Sequence, residues 1–128
     1  DLSLCQIKSE MRIFMSYSIG EVSKITDMSI HALRFYEKKG LIKPFRNEQN
    51  HRTFSDNDLL KIQMIKNFKH ISTPIEDINR FFSLFENDDS TEIRRQFLLS
   101  EEKRINDNIQ KLQEGKKFLK KILDDCYS

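Results

Sequence analysis

Arg34 and Tyr36 stand two residues apart in the run Leu33-Arg34-Phe35-Tyr36-Glu37, and neither has the companions that bond-making chemistry needs. A guanidinium is a rigid fork of N–H donors that fits a phosphate or the O6/N7 edge of guanine. Ser29 and His31 precede this pair, and Lys43, Arg46, His51 and Arg52 follow it. The set suits a polyanion. Ser29, His31, Arg34 and Tyr36 are placed to reach base edges or phosphates, the first two at the start of a helix that would enter a major groove. Lys43, Arg46, His51 and Arg52 would grip phosphates, where contact follows charge and carries no sequence information. Phe35 belongs to the same run but is read chiefly as core, because its neighbour Tyr36 has the polar handle. The competing reading of Arg34 is a surface ion pair with Glu37.

Charge is distributed to match. Between Tyr17 and His70 there are ten Lys and Arg against six Asp and Glu, and His31, His51 and His70 all fall there. From Ile71 to Ser128 the balance is ten against twelve. A net charge of +2 thus conceals a basic first half, which suggests a phosphate-binding face. Other chemistries lack their residues. No glycine-rich phosphate loop, nucleophile elbow or His-Glu helix pair occurs, so an enzyme is not expected. Structural zinc needs paired ligands about two to four residues apart, which the three histidines with Cys5 and Cys126 do not supply. Neither a metal nor a cofactor is expected.

These residues need a scaffold, and the chain reads as mainly α. At 128 residues, 33% charged and 38% hydrophobic, it fits one helix-rich domain and an appendage. No apolar run is long enough to span a bilayer, and two cysteines at opposite ends suit a reducing, cytoplasmic setting. Residues 1–16 lack the features of a signal peptide and read as a leader or cloning remnant. Ser18 and Glu21 form a capping box for a helix over 19–26, with Ile19, Val22 and Ile25 at core spacing. Ser29 caps a second helix to Lys39, with Ile30 and Leu33 inward and Gly40 as its stop. So tight a junction reads as helix-turn-helix.

Leu41–Pro44 and Arg52–Phe54 then read as two short extended pieces around a polar loop, the pattern of a wing. Ser55 opens a third helix to His70, with Leu59, Ile62, Ile65 and Phe68 at core spacing. Thr73-Pro74-Ile75-Glu76 opens a fourth to Phe85, burying Ile75, Ile78, Phe81 and Phe82. Residues 17–86 are thus expected to form one domain, and 87–128 a dimerisation helix. In that helix Leu98, Ile105, Leu112 and Leu119 repeat every seven residues, with Ile109 and Leu123 between. Such a stripe is too long to bury on so small a domain, so a second copy of the chain is the expected partner.

Tyr17-Ser-Ile-Gly-Glu-Val-Ser-Lys24, Leu33-Arg-Phe-Tyr-Glu-Lys-Lys-Gly-Leu-Ile-Lys-Pro44 and Arg52-Thr-Phe-Ser-Asp56 together closely resemble the N-terminal half of MerR-family regulators. The resemblance implies a winged helix-turn-helix followed by a long helix paired as an antiparallel coiled coil in a homodimer. It further implies binding to double-stranded promoter DNA whose spacer is too long. Bending and untwisting that spacer serves RNA polymerase, an indirect partner, so DNA is read by deformation as well as contact. The spacing from Leu84-Phe85 to Thr91, Arg95 and Glu102 is similar to the short, aldehyde-responsive branch. Two departures stand out. The wing's usual Gly-Tyr-Arg is Asn50-His51-Arg52 here, and the branch's third-helix cysteine is Asn67. The expected function is a DNA-distorting transcription regulator that answers a small signal. The alternatives are a constitutive DNA-bending protein without effector and a protein-interaction module on the same fold.

Overall fold

The computed structural model describes residues 16–86 and 88–128; the leader expected over 1–16, Cys5 included, lies outside them except for Ser16. The chain divides into two compact units, Asp1–Phe82 and Ser83–Ser128. Strand β1 (Ser16–Tyr17) leads into α1 (Ile19–Thr26), α2 (Ile30–Lys38), strands β2 (Phe45–Arg46) and β3 (Arg52–Ser55), α3 (Asp56–His70) and α4 (Ile75–Leu84). A short 3-10 turn over Asp88–Ser90 precedes α5 (Thr91–Tyr127). No helix among the described residues is long and apolar enough to cross a membrane.

Local chemistry sets the helix ends. Ser18 accepts from the Glu21 amide while Glu21 accepts from the Ser18 amide, the expected capping box, and Ser55 and Asp58 repeat it at α3. Between α1 and α2 the backbone turns at Asp27, whose φ of 56° is left-handed. The Ser23 hydroxyl donates to the Met28 carbonyl at 2.6 Å, and Lys66 of α3 donates to the Thr26 carbonyl at 2.9 Å, so the carbonyl end of α1 meets a cation. The inward face of α1 is Val22 and Thr26, not Val22 and Ile25: Thr26 is buried with its hydroxyl bonded to the Val22 carbonyl, and Ile25 is exposed. On α2 only Leu33 is buried; Ile30, expected inward, lies in the first turn and stays exposed.

The wing also forms one step later than expected. Leu41 and Ile42 are buried, so they serve the core, and Pro44 has no amide for a ladder. The first wing strand therefore follows the proline, pairing Phe45 with Thr53 and Arg46 with Arg52. β3 is central: β1 pairs antiparallel on its other edge, Ser16 with Ser55 and Tyr17 with Phe54. Two residues of β1 are too few for a period, which is why the strand is absent from the sequence reading. Its anchor is Tyr17, whose phenol donates to Asp56 at 2.7 Å. That hydrogen bond to the carboxylate holds the phenol's pKa above its ordinary value.

Phe54, Ile62, Ile65, Phe68, Ile78, Phe81 and Phe82 complete the buried core, with Leu59 and Ile75 only half-buried. Phe68 meets Phe81 edge to face at 5.3 Å between ring centres. In the second unit α5 runs 37 residues with none buried. Leu112 is 73% exposed and Leu119 59%, with Ile105 half-buried.

The end of α3 offers a test of these capping rules. Ser72 has φ 65°, and the Thr73 amide reaches back to the Phe68 carbonyl while that of Ser72 reaches Lys69. This is the Schellman arrangement, whose left-handed residue favours glycine. Ser72→Gly should raise stability by about 1 kcal/mol, read as a higher urea midpoint at unchanged slope. A lower midpoint would show that the serine is satisfied where it is.

Candidate nucleic-acid interface

The run from Arg34 to Leu41 divides its labour residue by residue. Gly40 takes φ 80°, the Leu41 amide bonds the Tyr36 carbonyl and the Gly40 amide bonds that of Glu37. The glycine thus ends α2 in a Schellman turn and delivers Leu41 into the core. Glu37, half-buried, turns towards the wing instead of outward. Its Oε1 accepts from Arg52 Nε at 2.9 Å and lies 2.9 Å from Arg52 Nη2, with Arg46 Nη2 at 3.9 Å. A guanidinium that donates through Nε and holds Nη2 at ion-pair distance from the same carboxylate oxygen makes a charge-assisted contact. This clamp ties the second helix of the motif to strand β3.

Arg34 is what the clamp leaves outside. It is exposed, and no hydrogen bond or ion pair engages it among the described residues. The competing reading, an ion pair with Glu37, is therefore not the arrangement found; that carboxylate is taken by Arg52. Ser29 sits at the mouth of α2, its hydroxyl accepting from the Ala32 amide at 3.0 Å, and His31 is exposed in the first turn. Tyr36 is half-buried. Phe35, read chiefly as core, is instead 40% exposed, edge-on to Tyr36 at 5.5 Å with Lys39 over its ring at 5.6 Å. Leu33 is the one buried residue of this helix, and Phe35 is turned to solvent.

On the wing, Lys43 and His51 are exposed. Arg46 donates to the Asn50 carbonyl at 3.1 Å, and Arg52 is the clamp residue, with a side chain only 20% exposed. Arg52 was expected to grip phosphate; here its first partner is Glu37. The turn is built by asparagines. Asn47 Oδ1 accepts from the Gln49 and His51 amides, and Asn50 takes φ 60°, the left-handed position that glycine supplies in the resembled pattern. Phe45, absent from the expected set, stands 76% exposed at the base of the wing. Its only sequence signal is an aromatic directly after a proline in a basic stretch, which is weak. Among the described residues no group of three His, Cys, Asp or Glu could hold a metal ion.

Residues 17–84 match the model of the MerR HTH family of regulatory proteins. The chain belongs to the MerR family. It is 42% identical over 66 residues to the multidrug-efflux transporter 1 regulator of Bacillus subtilis, covering 50% of this chain and 24% of that one. It is 28% identical over 112 residues to the transcriptional regulator CueR of Escherichia coli, covering 85% and 82%. Among solved structures it is similar to HiNmlR, a MerR regulator lacking the sensor domain and bound to promoter DNA, with TM-score 0.71, 28% identity and coverage of 86% and 85%. A MerR regulator from Bacillus thuringiensis gives TM-score 0.68 at 32% identity, covering 87% of this chain and 96% of that one. These relatives are transcription regulators and not enzymes, and this chain is a MerR-family transcription regulator.

The clamp makes its own prediction. In Glu37→Gln the helices should persist by circular dichroism, while hydrogen exchange at the wing amides of Asn47, Asn50 and His51 should quicken about tenfold. Unchanged exchange would mean that the β2–β3 pairing holds the wing unaided.

Proposed function

We propose that this MerR regulator binds double-stranded promoter DNA as a homodimer, with Arg34 of α2 reading a base edge. The observation that carries the reading is the unpaired, exposed Arg34 guanidinium on the second helix of a helix-turn-helix, left free because Arg52 occupies Glu37. Ser29, His31 and Tyr36 lie on or beside the same helix, and Lys43, Arg46 and His51 flank it as phosphate contacts. Arg52 acts first as the positioning residue of the wing. The domain division follows: residues 17–86 carry the DNA contacts and 87–128 the dimer contacts. HiNmlR, a MerR regulator that lacks the sensor domain and is bound to promoter DNA, supports this reading.

Two heads on one two-fold molecule, each holding a major groove, suit a regulator that bends and untwists a promoter spacer in favour of RNA polymerase. A small signal would then act by changing how the heads are held. Asn67 has no thiolate chemistry to offer, and Cys126 lies exposed near the end of α5.

Arg34→Ala should weaken specific binding by about 1–3 kcal/mol and non-specific binding far less. Lys43→Ala should weaken both alike and lower the salt slope by about one. Titrations of operator and random duplex against salt distinguish the two, and equal losses in both variants would reduce Arg34 to a backbone contact.

Dimerisation is tested separately. Leu98, Ile105, Ile109, Leu112 and Leu119, left in water, would each forgo about 1.5–3 kcal/mol. Light scattering should return twice the chain mass at micromolar protein, and Ile105→Glu with Leu112→Glu should return the chain mass and lose operator binding. A wild-type chain mass would sink the dimer.

A further inference from the structure

Phe45 is the one large apolar side chain of the wing left in water, 76% exposed and without a ring contact among the described residues. The register of the hairpin decides which way it points. Residues paired across an antiparallel ladder share a face, and successive residues alternate. Arg46 and Arg52 are one such pair and lie on the side of Glu37. Phe45 and Thr53, the next pair, therefore lie on the opposite side, and alternation puts His51 with them. The backbone beneath the ring is held. Thr53 donates its hydroxyl to the Phe45 carbonyl at 3.2 Å, and Pro44 stiffens the chain just before it.

The ring stands among cations. Lys43 and Arg46 flank it in sequence and His51 shares its face, all three exposed. Of the nearby acids, Glu37 is held by Arg52 and Glu48 stands out at the turn. An apolar ring in a cationic surround suits a surface that alternates apolar with anionic groups. The backbone of a duplex is such a surface, sugar then phosphate, and it continues from the groove assigned to α2. Protein interfaces deplete charge around their aromatic anchors, so a protein surface fits this setting less well. Resting on the DNA-binding reading above, we infer that Phe45 packs on deoxyriboses of the backbone beside the major groove held by α2, with Lys43 and His51 on the adjoining phosphates.

Position on the hairpin favours sugar over base. A wedge between bases needs an apolar residue that leads its element into the groove. Phe45 is at the base of the wing, whereas the exposed turn residues are Glu48 and Gln49. The contact therefore reads no sequence. What it adds is grip that salt does not weaken, because an apolar ring that lands on a sugar releases no counterion.

In the full chain Phe45→Ala should weaken operator and random duplex alike, by about tenfold, at an unchanged slope of log Kd against log salt. Phe45→Leu keeps the apolar contact and should stay within about threefold of the parent. Thermal unfolding of both variants should match the parent, since the ring lies outside the core. Hydroxyl-radical cleavage, which attacks sugars, should show one short window per half-site protected by the parent and open in Phe45→Ala. Parental affinity and footprint in Phe45→Ala would overturn the contact. So would a loss confined to the operator, which would make Phe45 a base reader, or activation lost at parental affinity, which would give the ring to a protein. A parent chain that binds no duplex would instead overturn the DNA-binding reading itself.

Discussion

A single carboxylate organises the binding face. Glu37 sits on α2, Arg52 on β3, and fifteen residues of chain separate them. Their contact converts a helix and a hairpin into one surface. Because the pair is half-buried, its charge-assisted bonds are less screened than those of a surface pair. The clamp also sorts the cations of the first half: Arg52 is consumed in structure, Arg46 is shared between Glu37 and the wing turn, and Arg34 is left with its donors open. What looks in sequence like a uniformly basic stretch is in space a division between cations held by an acid and cations left unpaired.

That division marks the limit of sequence legibility. Helix ends were readable because Ser18, Ser29, Ser55 and Gly40 act within a few residues of themselves, and capping is local chemistry. The stripe on α5 was readable because a heptad repeats. Strand β1, two residues long, offered no repetition, and its partner Ser55 lies 39 residues away. The sites of Leu41 and Ile42 were read as wing because an extended segment looks alike whether it pairs or packs. Arg52 as a clamp could not be foreseen from composition, since arginine in a basic stretch reads as phosphate-seeking until the position of an acid is known. Phe35 and Ile30 show the converse error: an apolar type on a short helix reads as core, whereas of this helix only Leu33 is buried.

The two units of the chain owe their order to different sources. The first has its own buried core. The second is a 37-residue helix with no buried side chain, and helices are held mainly by tertiary packing of one face. If α5 pairs with a second copy as proposed, its order is coupled to association. The apparent stability of α5 would then depend on protein concentration in a way that of the helix-turn-helix does not, and a single midpoint would blur the two.

The Schellman turn at Gly40 has a consequence for how such a protein can vary. Between Arg34 and Arg46 five residues are committed: Glu37 to the clamp, Gly40 to a left-handed turn, Leu41 and Ile42 to the core, Pro44 to the entry of the wing. An added or lost residue anywhere there would swing Arg34 relative to the hairpin, because no slack exists to absorb it. Past Arg46 the situation reverses. Glu48 and Gln49 are exposed at the tip, where the Gln49 amide donates to the Asn47 side chain. Length can change at that tip while the helix and its clamp stay in place, so the wing is where this scaffold can acquire a longer or shorter reach along a duplex.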